Sequence, residues 1–327
     1  MTFNKRFSFP INHVEIFQNK AINIDWFERH ADVINEVYID PGFLEIETKD
    51  MNGANVTTDP EVVKEFLTSI KTLGIKVCVI FNDVFEKDET LLTRVILALE
   101  HNRDYVDIVV VPDKSWLVLK ELGLEVKNTV INLPTYEQVR DGEFDDYDCI
   151  YIHDEIIHNH DLYKQIKGNR RFGTVVNYGD CATNCKLKDK HYYLVKIGKY
   201  DANLFCKTVK WGPVELLLKR NSIPTFRSEF DHYLDVIDIY KLQGRNTTGT
   251  FKTAVEIVEG IVDNKEIFSE YQLLKDKLNP ITLIKWKNEI RNCGGDCDNC
   301  NYCDKVLEEV EWVYTTNMQR KTMTTFL

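Results

Sequence analysis

Lys76-Val-Cys-Val-Ile-Phe81 and Asp107-Ile-Val-Val-Val111 are apolar at nearly every position between their ends. A strand with one wet face alternates apolar and polar residues. A run without alternation reads as a strand buried on both faces, as in a parallel sheet covered by helices. The same kind of run recurs along the chain. Phe7-Ser-Phe-Pro10 and Glu36-Val-Tyr-Ile-Asp40 precede these two; Asn128-Thr-Val-Ile-Asn132, Asp148-Cys-Ile-Tyr-Ile152, Gly173-Thr-Val-Val-Asn177 and Val236-Ile-Asp-Ile-Tyr-Lys241 follow.

Helical patterns lie between the runs. Asp25–Ile34, a segment opened by Asp59-Pro60-Glu61, Asp88–Glu100, Thr135–Arg140, Asp161–Lys167 and Thr250–Val262 each carry amphipathic spacing or an N-terminal cap with proline in the first turn. Eight strands, most followed by a helix, predict an α/β chain folded as a (β/α)8 TIM-like barrel. The competing doubly wound sheet would need a Gly-rich phosphate loop after a strand, and none is present. Residues 1–264 make the expected barrel, and 265–327 a C-terminal, cysteine-rich helical appendage. The span from Gly179 to Leu234 is long for a barrel loop, and long loops in compact domains are usually functional.

The chain of 327 residues is 43% hydrophobic and 28% charged, the balance of a soluble globular protein. No apolar run approaches a membrane span, and Met1-Thr-Phe-Asn-Lys-Arg lacks the apolar core of a signal peptide. A cytoplasmic, reducing location is expected, which favours metal ligation over disulfides for clustered cysteines. The net charge of −11 disfavours a large nucleic acid as partner. Lys186, Lys188, Lys190, Lys196 and Lys199 form a local exception, readable as a solvated loop or as an anion-attracting rim.

Seven of the nine cysteines fall in two knots. Cys181, Cys185 and Cys206 lie in the long loop after the seventh strand, where three thiolates could hold an iron–sulfur cluster with a fourth ligand from elsewhere. His191 is the nearest nitrogen candidate, equally a packing histidine. Cys293-Gly-Gly-Asp-Cys297-Asp-Asn-Cys300-Asn-Tyr-Cys303 spaces its thiols C-x3-C-x2-C-x2-C. Four thiolates so close suit one metal centre, either a cubane cluster or a closed tetrahedral zinc site. The short successive gaps resemble ferredoxin-type runs more than the separated pairs of zinc sites. The first three also match radical S-adenosylmethionine spacing, but that motif follows the first barrel strand and this one lies after the last. Cys78 and Cys149 sit inside strands and read as core residues.

Polar residues end almost every strand: Asn12 and His13, Asp40, Asn82 and Asp83, Asp113, Asn132, His153 and Asp154, Asn177, then Lys241, Gln243 and Arg245. In a barrel they would ring the C-terminal mouth, where active sites of this fold lie. His153 and Asp154 are candidates for acid–base work. The whole His153-Asp-Glu-Ile-Ile-His158-Asn-His160 segment could instead ligate a metal, but a strand end running into a helix cap explains it better. Lys241 and Arg245 would set cations beside the mouth, suited to a carboxylate or phosphate. Gly244 permits a sharp turn out of the strand.

Asn177-Tyr-Gly-Asp-Cys181-Ala-Thr-Asn-Cys185 with His191-Tyr192 resembles the Asn-x-x-Cys-x-x-x-Cys segment of the collagenase-like U-32 peptidase family. Tyr240-Lys241-Leu-Gln-Gly244-Arg245 resembles that family's strand ending in Lys-x-x-Gly-Arg. The likeness covers residues 170–250 best. It implies a barrel whose better-understood members are mostly not proteolytic but bind a 4Fe–4S cluster and support hydroxylation of RNA bases or quinone precursors. Carried over, Cys181, Cys185 and Cys206 would ligate the cluster and Lys241 and Arg245 would line the site. The chain departs from the pattern in lacking a fourth cysteine there and in adding the Cys293–Cys303 knot, so one cluster or two are both open. No nucleophile with a partner histidine and no His-Glu-x-x-His helix supports proteolysis.

The expected function is an iron–sulfur enzyme with redox or hydroxylation-type chemistry on a small or nucleotide-like anionic substrate, served by an electron donor protein. The alternative is a zinc-stapled, non-catalytic barrel that binds a ligand or partner at its mouth.

Overall fold

The structure, a computed structural model, describes residues 3–46, 58–81, 89–132, 134–152, 154–177, 185, 187, 190–191, 206, 210–220, 222–245, 247–297 and 299–310. Eight strands run parallel: β1 (Phe7–Pro10), β2 (Ile34–Ile39), β3 (Lys76–Ile80), β4 (Ile108–Val111), β5 (Glu125–Asn128), β6 (Ile150–Tyr151), β7 (Phe172–Val175) and β8 (Ile239–Lys241). Their spatial order is β5-β4-β3-β2-β1-β8-β7-β6. The two end strands meet through a parallel bridge between Lys127 and Cys149, so the sheet curls into the expected (β/α)8 barrel. The helices between strands include α1 (Ile24–His30), α2 (Pro60–Thr72), α3 (Glu89–His101), α4 (Tyr136–Arg140) and α5 (His160–Ile166). In the second half lie α6 (Pro213–Lys219), α7 (Arg227–Tyr233) and α8 (Thr248–Val262).

The local signals act as their chemistry requires. Asp59 caps α2 by accepting from Glu61 N at 3.0 Å, with Pro60 in the first turn. Thr135 and Gln138 form a reciprocal capping box on α4.

The β5–β6 seam is the weak point of closure, because β6 is only two residues long. A side chain completes it. Asn128 accepts from Tyr151 N at 2.5 Å and donates to Tyr151 O at 3.1 Å, replacing two rungs of the ladder. Asp148 accepts from Val126 N at 2.7 Å one step below. Replacing Asn128 with Ala would leave both Tyr151 backbone groups buried and unpaired. The expected loss is about 1–3 kcal/mol per unpaired group, read as a lowered urea midpoint, with faster amide exchange confined to 148–152.

Both faces of the strands are buried, as the unbroken runs predict, but they differ in kind. Phe7, Phe9, Val37, Val77, Val79, Val109, Val111 and Phe172 belong to the large apolar layer beneath the helices. The alternate residues Tyr38, Cys78, Ile80, Ile108, Val110, Cys149, Tyr151 and Ile239 form a separate, smaller cluster inside the barrel. Ser8, Glu36, Lys127 and Lys241 share that inward phase and are buried. The fifth strand differs from the sequence reading. It occupies Glu125–Asn128, and Val130–Asn132 forms a 3-10 turn instead. The apolar count of Asn128–Asn132 misled because the true strand carries two inward charges, Glu125 and Lys127.

Beyond β8, α9 (Ser269–Lys277), α10 (Pro280–Ile290) and α11 (302–310) build a second core with α6. Leu217 and Leu218 of α6 pack among Tyr271, Leu274, Trp286, Ile290, Val306 and Val310. Arg291 clamps the buried Glu229 of α7 through both guanidinium arms, at 3.0 and 2.9 Å. Among the described residues no helix is long and apolar enough to cross a membrane.

Candidate active site at the barrel mouth

Lys241 is the last residue of β8. Its neighbour Tyr240 faces outward and donates its hydroxyl to Phe230 O at 2.9 Å. Strand alternation therefore turns Lys241 into the barrel, where it is 6% exposed. Its Nζ stands over the rings of Tyr38 (4.7 Å) and Tyr151 (5.1 Å). Among the described residues no carboxylate pairs with it and no oxygen accepts from it. Two aromatic faces offset only part of the desolvation of an ammonium. Burial pushes its pKa down to about 8; Arg245 and Lys127 add to the shift, while Cys78 and Glu36 oppose it.

Arg245 follows after a turn at Gly244, whose φ is +146°. A Cβ there would lie 2.6 Å from the Phe251 backbone, so the turn requires glycine. Asn12 fixes the same turn by donating to Gly244 O at 2.7 Å. The Arg245 charge is felt at Tyr38, Asp40 and Lys241. Those three side chains therefore share one electrostatic neighbourhood at the strand ends. Tyr38 donates its hydroxyl to Leu242 O at 2.6 Å, and burial holds it protonated.

His13 and Asp40 make a second pair at the mouth. His13 Nε2 lies 3.3 Å from Asp40 Oδ2, and its Nδ1 lies 3.1 Å from Thr58 Oγ1. Burial alone would raise the Asp40 carboxyl, but His13, Arg245 and the Gly42 amide together hold it below its ordinary value. Asn177 has a different task. It accepts from Gln243 N at 2.5 Å and donates to Gln243 O at 3.0 Å, latching β7 to the β8 turn. Of the expected ring, Lys241, Arg245, His13 and Asp40 gather at the mouth, whereas Asn12 and Asn177 tie loops together.

Deeper in the barrel, Lys127 Nζ meets Glu36 Oε2 at 2.5 Å, and both side chains are fully buried. Burial would push the ammonium down, but Glu36, Cys149, Cys78 and Glu125 together outweigh it and raise the pKa, so Lys127 stays charged. Sequence reasoning missed Glu36, Tyr38, Lys127 and Tyr151. A signal existed for the two charges: an ionic residue inside a strand of a parallel sheet has no wet face to occupy.

His153, the side chain of Asp154, and Cys181 lie outside the described residues, as do Asn82 and Asp83. His158 turns away from the mouth to the appendage, with Nδ1 3.1 Å from both Ile290 O and Cys293 Sγ. His160 opens α5 and pairs through Nε2 with Asp235 at 2.8 Å. His158 ends the 3-10 turn Asp154–His158 that follows β6, and His160 is the first residue of α5.

Cys185 and Cys206 are partly exposed. Cys78 and Cys149 are buried inside the barrel, and burial pushes the Cys149 thiol up to about 12 and Cys78 higher still. Neither is a nucleophile there.

The C-terminal knot turns on Gly294 and Gly295, both at positive φ (72° and 68°). Gly294 N donates to His158 O at 2.9 Å, docking the knot on the loop after β6. Cys293 is exposed as a residue, but its sulfur is turned toward His158 and enclosure raises the thiol. Burial pushes Cys303 up to about 12, and Cys297, Cys293 and Cys300 push it the same way. The Cys293, Cys297 and Cys300 thiols are thus near enough to be felt at Cys303. Among the described residues no three His, Cys, Asp or Glu side chains already stand in a metal-holding arrangement.

No family model matches the chain. No curated protein matches it either. Among solved structures, the chain is similar to the U32 peptidase Mk0906. That likeness covers 65% of this chain and 81% of that one, at 14% identity and a TM-score of 0.42. The intracellular xylanase TsXylA from Thermoanaerobacterium saccharolyticum JW/SL-YS485 is similar over 74% of this chain and 86% of its own, at 10% identity and a TM-score of 0.35. The family named from the Cys181 and Lys241 segments is the one to which the first neighbour belongs. Likenesses this distant carry no activity with them.

Proposed function

We propose that the chain is an iron–sulfur enzyme that binds a small or nucleotide-like anion at the mouth of its barrel and performs redox or hydroxylation-type chemistry on it. The observation that supports this most is Lys241: a buried ammonium at a strand's C-terminal end, without a counter-ion among the described residues, next to Arg245. An uncompensated buried cation destabilises a fold, so its retention is best explained by an anionic ligand. Residues 1–264 act as the catalytic barrel and 265–327 as its appendage.

Cys181, Cys185 and Cys206 would hold a cluster beside the mouth, and Cys293, Cys297, Cys300 and Cys303 a second metal. When bound, an iron–sulfur centre supplies one-electron transfer or a Lewis-acidic iron, with electrons from a donor protein. The chain's own residues do the rest. Lys241 and Arg245 bind and orient the anion, and His13, held by Asp40, is placed to accept or return a proton.

Two measurements test this. Anaerobically purified protein should be brown and contain iron and sulfide. Cys181→Ala with Cys185→Ala should remove one portion of the iron, and Cys297→Ala with Cys300→Ala the metal of the knot. Zinc without iron or sulfide overturns the enzyme reading and favours the second one, a zinc-stapled binding barrel, which the four thiols of the knot also suit. Inorganic phosphate, titrated by calorimetry, should bind at least about tenfold more weakly to Lys241→Met, the loss of a charge-assisted hydrogen bond. Unchanged binding overturns the mouth as the anion site.

A further inference from the structure

Lys241 combines features that anion binding alone does not require. A lysine meant only to hold an anion serves best fully protonated and flanked by hydrogen-bond acceptors. This one is buried, stands over the rings of Tyr38 and Tyr151, the second of which carries a buried hydroxyl, and shares its neighbourhood with two other cations. That hydroxyl has no geometrically sound hydrogen bond among the described residues. It faces Ser8, whose backbone is in register with Lys241 on the adjacent strand. An apolar, cation-flanked site is the setting in which a lysine amine becomes a nucleophile.

We propose that Lys241 forms a Schiff base with a 2-oxo acid, Arg245 pairing with the carboxylate that adjoins the reacting carbonyl. This rests on the mouth being the anion site and names the substrate class it takes.

In the step, the neutral Nζ lone pair attacks the carbonyl carbon and the C=O π pair moves to oxygen. That oxygen takes up a proton and the nitrogen loses one, giving a carbinolamine. The C–O bond then breaks as water leaves, and the C=N bond forms. Amine plus carbonyl becomes imine plus water, with no change of oxidation state. The hydroxyl that departs needs a proton, and Tyr151 is the donor at hand, since burial keeps it protonated well beyond neutral pH. The depressed pKa of Lys241 agrees with the geometry, because it leaves a usable neutral fraction near pH 8.

The test uses the full chain as purified anaerobically, pyruvate as the probe and sodium cyanoborohydride as the trapping reductant, near pH 7.5. Peptide mass spectrometry should find Lys241 carrying the mass of pyruvic acid less one oxygen. Labelling there should be at least about tenfold faster than at surface lysines. Lys241→Arg, which has no primary amine, should take no label at that position. Tyr151→Phe should slow trapping while phosphate binding stays as it was, a split that a merely structural role would not produce. Labelling of Lys241 no faster than of surface lysines, with phosphate binding intact, overturns the Schiff base and leaves the anion site standing. Failure of both pyruvate labelling and phosphate binding overturns the mouth reading and this inference with it.

Discussion

Replacing Lys127 with Met is expected to destabilise the protein by about 3–5 kcal/mol, the largest loss from any single side chain described above. Lys127 and Glu36 are each fully buried and meet at 2.5 Å in the barrel interior. Removing the ammonium leaves a fully buried carboxylate without its counter-ion. Its other oxygen, Oε1, already has no hydrogen-bond partner among the described residues. Of the neighbouring cations, Lys76 and Arg171 hold Glu125, at 3.0 and 2.9 Å, on the floor of the barrel, and Lys241 feels the Glu36 charge without pairing with it. The double replacement Glu36→Gln with Lys127→Met should recover most of the loss, because two neutral groups fit the site without a stranded charge. Urea unfolding of both variants measures this. A loss below about 1 kcal/mol for Lys127→Met, the range of an exposed pair, would show that water reaches the interior and that the pair is not sealed.

That ion pair marks where sequence reading succeeds and where it stops. The barrel was legible because Val77, Val79, Val109 and Val111 announce strands that are covered by helices on one side and closed on the other. Continuous apolarity is a property of each segment alone, so a single chain shows it. The interior of the barrel is not local in that way. Glu36 and Lys127 are 91 residues apart, and each by itself looks like a surface charge. The same holds for Lys241, Tyr38 and Tyr151, which come from three strands and meet only when the sheet closes. Lys241 and Arg245 could be placed at the mouth because they end a strand, but the aromatic box around Lys241 could not. The two cysteine knots were plain from spacing, whereas the docking of the second through His158 depends on the fold, since 135 residues separate His158 from Cys293.

The same burial that underlies the proposed reactivity of Lys241 should make it costly to the fold, and the sign can be worked out. Its pKa falls from the ordinary 10.5 to about 8 on folding. Between those values the unfolded chain binds the proton and the folded chain does not, so stability rises with pH across that window. Below pH 8 both states are protonated and the full penalty is present. Above pH 10.5 both are neutral and it is gone. A shift of this size corresponds to about 3 kcal/mol. Lys241→Met is therefore expected to be more stable than the parent at pH 7 by up to about that amount. The advantage should shrink as pH rises through 8 to 10.5. Taking the difference between the two proteins at each pH cancels every other titrating group. Guanidinium unfolding at pH 7, 8.5 and 10 measures it on protein free of added anion, because a bound anion would stabilise the parent and mask the effect. A variant that is less stable at pH 7, or an advantage that does not change with pH, would mean that the ammonium is solvated or paired in the folded state. The anion site and the amine chemistry would both then lose their physical basis. A more stable but ligand-blind variant would identify Lys241 as a residue kept for function at the expense of the fold.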